Sequence, residues 1–267
     1  MTIAKYSTLI RTFNSQRSLP ATLQALQAQT HQPSRYIIVD SGSTDRTLLE
    51  LPPDSLVHRF VGTVFNYSEA LNQGVDLVST DLVLIISSHT VLENPVAIEQ
   101  AIRVLESNPN IGAAYMSDDN VGPLRHEVID ENNFNGFNGL WNSCSLVRVE
   151  LLRMRPFRTD VFTAEDQEWA RWLIAQHRMT VARIAGARMF NRNPRSSSLR
   201  KRANEYVSVA YFTNRKLLSW PNLLRVGFGV VTPRVRVTIR ERIYKAWLLV
   251  RLIKCHFGKP IAESRYF

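Results

Sequence analysis

Three short apolar segments in the first third of the chain each end at polar residues. They are Tyr6–Thr12, residues 36–40 and Leu82–Ser87, and they are rich in Ile, Val, Leu and Thr. Continuous apolar runs of this length are typical of strands buried on both faces of a parallel sheet. Between the first two lies segment 19–26, where apolar residues recur at helical spacing behind Ser18 and Pro20, a helix start signal. The pattern therefore predicts a strand, a helix and a second strand.

The alternation of strands and helices continues along the chain. A second short helix is predicted to begin at Thr44 and Asp45, further helices cover 68–78, 95–105 and 165–176, and strands cover 111–115 and 180–185. Such alternation predicts an α/β fold with a mostly parallel, doubly wound sheet and helices on both faces. Ligands bind such sheets at the carboxyl ends of the strands. Residues 117–142, with many Asn, Asp and Gly, are predicted to form long binding loops.

The charge distribution indicates the class of partner. The chain carries a formal net charge of +10 at pH 7, which favours an anionic partner: nucleic acid, an anionic membrane surface or a phosphorylated ligand. From Pro233 onward nine basic residues face two acidic ones, so +7 of the +10 lies in the tail. Because the chain has no helix-turn-helix, zinc or RNP signature, we expect no nucleic-acid partner.

The tail contains an amphipathic helical pattern. Its apolar positions are Ile239, Ile243, Ala246, Val250, Ile253 and Phe257, widened by Trp247 and Leu248. A basic amphipathic helix with a tryptophan is typical of an interfacial membrane anchor, which would bring the protein to a lipid-linked ligand. The same pattern also fits packing on the main domain or on a second subunit. Both interpretations stay open at this point.

The cysteines and the N-terminus bear on the compartment. Cys144 and Cys255 fit no metal-ligand or redox spacing, so we expect two reduced thiols, with Cys144 used for packing. The first residues lead directly into a strand-like segment without a charged region followed by an apolar stretch, and no uncharged run of about 18 apolar residues occurs. We therefore expect a cytosolic protein.

Three motifs at the predicted strand ends carry a family resemblance. They are Ser-Thr-Leu-Ile-Arg-Thr-Phe-Asn at 7–14, Ile-Ile-Val-Asp-Ser-Gly-Ser-Thr-Asp at 37–45 and Phe-Asn-Tyr-Ser-Glu-Ala-Leu-Asn-Gln-Gly at 65–74. Together they closely resemble the family two glycosyltransferases of GT-A fold, inverting enzymes that use nucleotide-activated sugars. The resemblance covers roughly residues 6–200. It implies a GT-A domain over 1–215, with a nucleotide-binding half near 1–115 and an acceptor half near 116–215, followed by the basic helical tail over 216–267.

The resemblance also implies a set of residues that bind a nucleotide-diphosphate sugar donor. They are Thr12, Phe13, Asn14, Asp40, Ser41, Ser43, Asp45, Asn72 and Gly74. Asp45 also stands where it would cap the predicted second helix by accepting free backbone N–H groups, and the two roles are compatible.

The family's metal site, an Asp-x-Asp motif that binds Mg²⁺ or Mn²⁺, is altered in this chain. The strand Leu82–Ser87 leads into Ser87, Ser88 and His89, so the first carboxylate is missing and His89 takes the second position. His89 can act as a Mn²⁺ ligand or diphosphate contact, or it can merely hydrogen-bond at a loop corner. The cofactor prediction is accordingly Mn²⁺ or Mg²⁺, with metal dependence open. If metal binding is weak, basic residues of the family's lid segment are candidates to meet the diphosphate charge: Arg192, Arg195, Arg200, Lys201 and Arg202.

An inverting transfer needs a base for the proton of the acceptor hydroxyl. Glu165 and Asp166 resemble the family's Glu-Asp motif, which implies Asp166 as that base, although both carboxylates also suit a helix N-terminus. Trp141 and Asn142 are candidate contacts for a glycan or lipid-linked acceptor, and an aromatic core position for Trp141 is an equal alternative.

Two other functions compete with the transferase. A sugar-phosphate nucleotidyltransferase would need a Gly-rich phosphate loop after the first strand, which this chain lacks. A catalytically inactive nucleotide-sugar-binding or membrane-adaptor protein with the same fold remains the alternative, because the Asp-x-Asp motif is degraded.

Overall fold

The computed structural model describes residues 3–118, 125–191, 199–231 and 238–258. Within these ranges the strands are β1 Tyr6–Thr12, β2 Arg35–Asp40, β3 Leu56–Arg59, β4 Leu82–Ser87, β5 Thr90–Leu92, β6 Ile111–Ser117, β7 Glu127–Ile129, β8 Cys144–Arg148 and β9 Thr180–Asn191. The helices are α1 Leu19–Gln27, α2 Tyr67–Val75, α3 Ala97–Ser107, α4 Val149–Met154, α5 Glu165–Ala175, α6 Leu199–Ser208, α7 Trp220–Val231 and α8 Ile239–Phe257. A single turn of π-helix, Val209–Thr213, and a 3₁₀ turn, Arg215–Leu218, connect α6 to α7.

The strands form one mixed sheet in the order β3-β2-β1-β4-β8-β6-β9-β5, with β7 paired to β9. β1 pairs in parallel with β2 and β4, β2 with β3, and β6 with β9, whereas β8 runs antiparallel to both its neighbours. The prediction of a mostly parallel sheet is therefore confirmed. In this register Thr12 lies opposite Asp40 and Arg11 lies opposite Ser87. Three polar strand ends consequently meet at one edge of the sheet.

Helices cover both faces of the sheet, as predicted. One buried cluster joins Ile10 and Leu84 of the sheet to α1 and α3, and the other joins Leu9 and Val83 to α2, α4 and α5. Side chains alternate between the faces of a strand, so neighbouring positions of β1 enter different clusters. Arg11 follows Ile10, and it therefore shares the face of Leu9, beneath α2 and α5.

The predicted second helix at Thr44 and Asp45 is wrong, because residues 44–50 form turns. Thr47 donates both its backbone N–H and its hydroxyl to the Asp45 carboxylate, as at a helix start, but no helix follows. Pro52 and Pro53 follow closely, and the residue before a proline is disfavoured in helical conformation. The segment is therefore too short to hold a stable helix.

The stretch 117–142 is less irregular than predicted. It contains β7, which pairs with β9, and residues 119–124 lie outside the described part of the chain. β9 is also longer than the predicted 180–185, since its final residues pair with β5. β5 and β7 have three residues each, which is too few for an alternating pattern of apolar and polar residues to predict them.

The tail packs through only part of its predicted apolar pattern. Leu248, Leu252 and Cys255 of α8 join a third buried cluster with residues of α6 and α7. Of the predicted apolar positions, Leu248 is buried in this cluster, whereas Ile239 is 78% and Ile243 66% exposed. The predicted boundary between residues 215 and 216 falls inside this cluster. In the described residues, no helix has the length and apolarity needed to span a membrane.

Candidate functional site

A pocket of about 290 Å³ opens at the edge where β1 and β4 end. It is lined by the strand ends, the start of α2, the segment before β8, the start of α5 with the residues before it, and residues of α6 and the following π-helical turn. The charged and titratable residues among them are Arg11, His89, Glu165, Asp166, Lys201 and Glu205. The pocket thus combines cations and carboxylates, and each cation lies near a carboxylate: Arg11 is 3.9 Å from Glu165 and Lys201 is 3.7 Å from Glu205.

The loops after β1 and β2 are joined side by side by hydrogen bonds. The backbone N–H of Asn14 donates to Ser43 Oγ (2.9 Å), and the Asn14 side-chain oxygen accepts from the Thr44 N–H (2.9 Å). Asp40 is buried and accepts from the N–H groups of Gly42 and Ser43. Asn14 adopts a left-handed backbone with φ 48°, which asparagine tolerates better than most residues.

The remaining predicted nucleotide-binding residues of these loops lie around the same junction. The Ser41 N–H donates to the Thr12 carbonyl (3.0 Å), and Asp45 accepts from the Gln16 N–H (3.2 Å). Thr12 is buried, and within the described residues its hydroxyl has no hydrogen-bond partner. The structure therefore brings Thr12, Phe13, Asn14, Asp40, Ser41, Ser43 and Asp45 together.

Asn72 and Gly74 lie elsewhere, in α2, and contribute to packing. Asn72 donates to the Phe157 carbonyl (2.8 Å) and accepts from its N–H (3.0 Å), which joins α2 to that segment. Gly74 lies against Leu9 and Val39, where an added Cβ would come within 2.4 Å of a Leu9 methyl carbon. These contacts give both residues structural roles, and their contact with a nucleotide stays a prediction.

Ser87 and His89 line the pocket, whereas Ser88 is buried and bonds to Ser15 (2.7 Å between the hydroxyl oxygens). Burial lowers the pKa of His89 to about 4, and the positive charges of Lys201 and Arg11 add to this effect. The imidazole is therefore neutral at pH 7, with its lone pair available.

Glu165 and Asp166 open α5 at the pocket wall, as the motif implied. Ala164 precedes them in a left-handed conformation with φ 58°, which turns the chain sharply into the helix. Asp166 accepts from the backbone N–H groups of Asn142 (3.0 Å) and Gln167 (2.8 Å). Burial raises the pKa of Asp166 to about 7, and the neighbouring Glu165 carboxylate also raises it. A carboxylate in this range exchanges a proton readily near neutral pH.

Asn142 and Trp141 occupy the pocket wall in different ways. Asn142 is buried and lines the pocket, and its side chain bonds to Glu165 (3.4 Å) and to Ser145 (3.2 Å), so it helps to position the carboxylates; its contact with an acceptor stays a prediction. Trp141 stacks on Tyr115 with ring centroids 5.6 Å apart, and it donates its indole N–H to the Phe137 carbonyl. Its ring packs against Tyr115 and also lines the pocket, so a core position and a contact with an acceptor are compatible for this residue.

The predicted lid residues Arg192 and Arg195 lie outside the described residues. Lys201, from the same basic segment, is on α6 and lines the pocket with Glu205, 3.7 Å from its carboxylate. Burial raises the pKa of Glu205.

Arg11 is a pocket residue that the sequence patterns did not single out. Its guanidinium lies 3.9 Å from Glu165 Oε1 and 4.7 Å from the centre of the Tyr67 ring. The available signal was a charged residue inside an otherwise apolar, buried strand. Such a residue is rarely buried without a partner.

The described residues do not fit the metal site that the family resemblance implies. None of them forms a group of three His, Cys, Asp or Glu side chains suited to a metal ion. The neighbours of His89 are the cations Arg11 and Lys201, whereas Mg²⁺ and Mn²⁺ prefer several oxygen ligands.

Comparison with known proteins identifies the family. The sequence model of Glycosyl transferase family 2 matches residues 7–162, more than half of the chain. No curated protein sequence matches the chain.

Solved structures with the same fold include several glycosyltransferases. A mannosyltransferase from Pyrobaculum calidifontis, in complex with GDP-Man and Mn²⁺, superposes with a TM-score of 0.63 at 15% identity, covering 96% of this chain and 74% of its own. S. aureus TarS 1-349 in complex with UDP gives 0.57 at 14% identity, covering 93% and 81%. Glucosyl-3-phosphoglycerate synthase from Mycobacterium tuberculosis, in complex with Mn²⁺, UDP and glucosyl-3-phosphoglycerate, gives 0.56 at 15% identity, covering 78% of each chain. The chain belongs to glycosyl transferase family 2 and is a glycosyltransferase of GT-A fold.

Proposed function

We propose that this enzyme transfers a sugar from a nucleoside-diphosphate sugar to a hydroxyl acceptor with inversion at the anomeric carbon, using Asp166 as the general base. The observation that carries the proposal is the Asp166 carboxylate, which lines the pocket, is held by two backbone N–H groups and has a pKa raised to about 7. A base matched to neutral pH is what removal of a hydroxyl proton requires.

The donor is expected to lie along the edge of the sheet. The joined loops of Asn14 and Asp40 would hold the nucleoside, as in the family resemblance, and the sugar would reach the pocket beside α5. The acceptor hydroxyl gives its proton to Asp166 as its oxygen attacks the anomeric carbon. The bond from that carbon to the diphosphate oxygen breaks, and the diphosphate leaves with the electron pair. A single displacement from the opposite face inverts the configuration.

The test begins with identification of the donor. The thermal midpoint of the protein is measured with UDP, GDP, dTDP and CMP, because a ligand that binds only the folded state raises it. The corresponding nucleotide sugar is then supplied, and NMR of the product reports its anomeric configuration. Product of opposite configuration to the donor supports the proposal, and retained configuration overturns the single displacement. A midpoint shift without turnover would favour the inactive nucleotide-sugar-binding alternative.

A second proposal concerns the tail: we infer that the outer face of α7 and α8 binds an anionic membrane surface and brings the enzyme to a lipid-linked acceptor. Exposed apolar side chains follow this face on both helices: Trp220, Leu224, Phe228, Ile239, Ile243, Trp247, Val250 and Phe257. Basic side chains flank them, including Arg240 and Lys254. Apolar insertion combined with attraction to anionic headgroups is the pattern of interfacial helices.

A groove next to this face is consistent with a lipid-linked ligand. It has a volume of about 850 Å³ and lies between α6, α7 and α8. Leu224, Phe228 and Leu248 supply apolar walls, and Arg202 and Lys245 supply positive charge. A lipid phosphate combines an apolar chain, which fits the apolar walls, with a negative charge, which fits the basic side chains.

Co-sedimentation with vesicles tests the membrane proposal. Vesicles containing anionic lipid should bind the protein at low salt, and neutral vesicles should bind it less, since the attraction is screened by salt. The double variant Ile243→Ser, Trp247→Ser should lose binding. Met154→Ser is the matched control, because Met154 is an exposed apolar residue on α4. Unchanged vesicle binding by the double variant, or a concentration-dependent dimer that the same variant dissociates, would overturn the membrane role.

A further inference from the structure

The covalent order of a nucleotide sugar determines where its diphosphate must lie. This inference rests on the proposed function. The diphosphate connects the nucleoside to the sugar, so it has to occupy the space between the two. The predicted nucleoside loops lie at the ends of β1 and β2, and the proposed base lies at the start of α5. The pocket residues nearest the strand ends are Arg11, Ser87 and His89, with Lys201 also lining the pocket.

Arg11 is held in this space with unused hydrogen-bonding capacity. Its side chain is 14% exposed, and its Nη1 atom is buried without a hydrogen-bond partner among the described residues. A guanidinium carries five N–H donors, and a buried donor without an acceptor is costly. The 3.9 Å approach to Glu165 Oε1 is too long for a hydrogen bond. Stacking over Tyr67 at 4.7 Å keeps the group in place.

We propose that Arg11 binds the donor diphosphate directly, with Lys201 beside it, and supplies the positive charge that favours donor binding without a bound divalent cation. The planar fork of an arginine matches phosphate oxygens and donates two parallel hydrogen bonds. The diphosphate would thereby provide the acceptors that the guanidinium lacks within the described protein.

His89 lies beside this proposed diphosphate site. Its imidazole lines the same pocket as Arg11 and Lys201, whose positive charges attract an anion. A ring N–H of His89 can then donate one hydrogen bond to a phosphate oxygen.

The test compares a nucleoside with its diphosphate by isothermal titration in buffer containing EDTA. Uridine is compared with UDP, guanosine with GDP and thymidine with dTDP. The pair that binds the wild-type protein is used for all variants. Arg11→Gln removes the charge and Arg11→Lys keeps the charge but loses the fork. Arg35→Gln is the matched control, because Arg35 is exposed at the opposite end of the neighbouring strand β2. Nucleoside affinity serves as the internal measure of an intact fold.

We expect wild-type protein to bind the diphosphate more tightly than the nucleoside in EDTA. Arg11→Gln should lose about 10- to 100-fold of diphosphate affinity, the effect of a lost hydrogen bond to a charged group, while keeping nucleoside affinity. Arg11→Lys should lose less, and Arg35→Gln should match the wild type.

Several outcomes would overturn the inference. The inference is refuted if Arg11→Gln keeps full affinity for the diphosphate. It is also refuted if the wild-type protein binds the diphosphate in Mn²⁺ but not in EDTA. In both cases the proposed function would stand. If Arg11→Gln also loses nucleoside affinity, the Arg11→Lys variant decides. Lower diphosphate affinity of this variant at unchanged nucleoside affinity supports the role of Arg11. Unchanged diphosphate affinity refutes it. Failure of wild-type protein to bind any of these ligands, with or without Mn²⁺, would refute the proposed function itself.

Discussion

Replacement of Asp166 by asparagine removes the proposed base while preserving nearly all of the local structure. The carboxylate accepts one hydrogen bond at 3.0 Å from Asn142 N–H and one at 2.8 Å from Gln167 N–H. An asparagine oxygen keeps one of these bonds, so the cost is about 1 kcal/mol. Loss of the repulsion between Asp166 and Glu165 offsets part of that cost. We therefore expect a folded protein with unchanged affinity for the donor.

Turnover, in contrast, should fall by about 100- to 10,000-fold, the usual contribution of a general base, which corresponds to about 3–5 kcal/mol of activation free energy. The assay measures release of the nucleoside diphosphate from the donor at saturating concentration. Asp76→Asn is the matched control, because Asp76 is exposed at the end of α2 and lies outside the pocket. Undiminished turnover in the Asp166→Asn protein would remove this residue from the mechanism.

The pH dependence gives an independent check of the same residue. The base acts only when ionised, and its pKa is raised to about 7. Activity should therefore rise as pH increases through about 7, level off above it, and be lost toward acid pH. Because Glu165 and Asp166 interact, the apparent pKa of the profile belongs to the pair. A wild-type profile that is flat between pH 5 and pH 9 would refute the assignment.

Three further predictions concern the fold. Gly74→Ala should lower the free energy of unfolding by about 1–3 kcal/mol in a urea titration, because the new methyl group meets core carbons at 2.4 Å and 2.9 Å. Gly227→Ala is the control and should not lower it, because its nearest contact is 3.5 Å. Equal effects of the two variants would contradict the prediction. The Cys144 thiol is buried, which raises its pKa, so a thiol reagent should modify it only after denaturant unfolds the protein, and fast labelling of the native protein would contradict its burial. Arg155→Met leaves the buried Glu168 without its 2.6 Å partner and should cost about 3 kcal/mol in the same titration; an unchanged midpoint would show that the pair contributes nothing.

The sequence was sufficient for the central strands because their signal is local. β4 is an apolar run that ends at Ser87, β1 is a short segment centred on Leu9 and Ile10, and their predicted bounds, Tyr6–Thr12 and Leu82–Ser87, agree with the structure. The family motifs added the strand-end residues, and the register places Thr12 beside Asp40. Short strands such as β5 and β7 were missed, since three residues carry too little pattern.

The sequence was less informative where a choice between faces or partners decides the outcome. The apolar period of α8 predicted an amphipathic helix, but its positions are covered unequally, since Leu248 is buried while Ile239 and Ile243 are exposed. Leu252, which the predicted pattern left out, is buried as well. The helix has apolar residues on more than one face, and only the positions of α6 and α7 determine which face is covered.

The pocket depends on tertiary structure for the same reason. Asp166 was found by its motif, whereas the motif at 7–14 did not single out Arg11, which is set apart only because α2 and α5 place Tyr67 and Glu165 around its guanidinium. The sequence by itself determined the central buried strands, their order along the chain and the Glu-Asp motif, since each consists of consecutive residues. The tertiary structure decided which distant side chains share the pocket and its charge, because that depends on how the helices pack across the sheet.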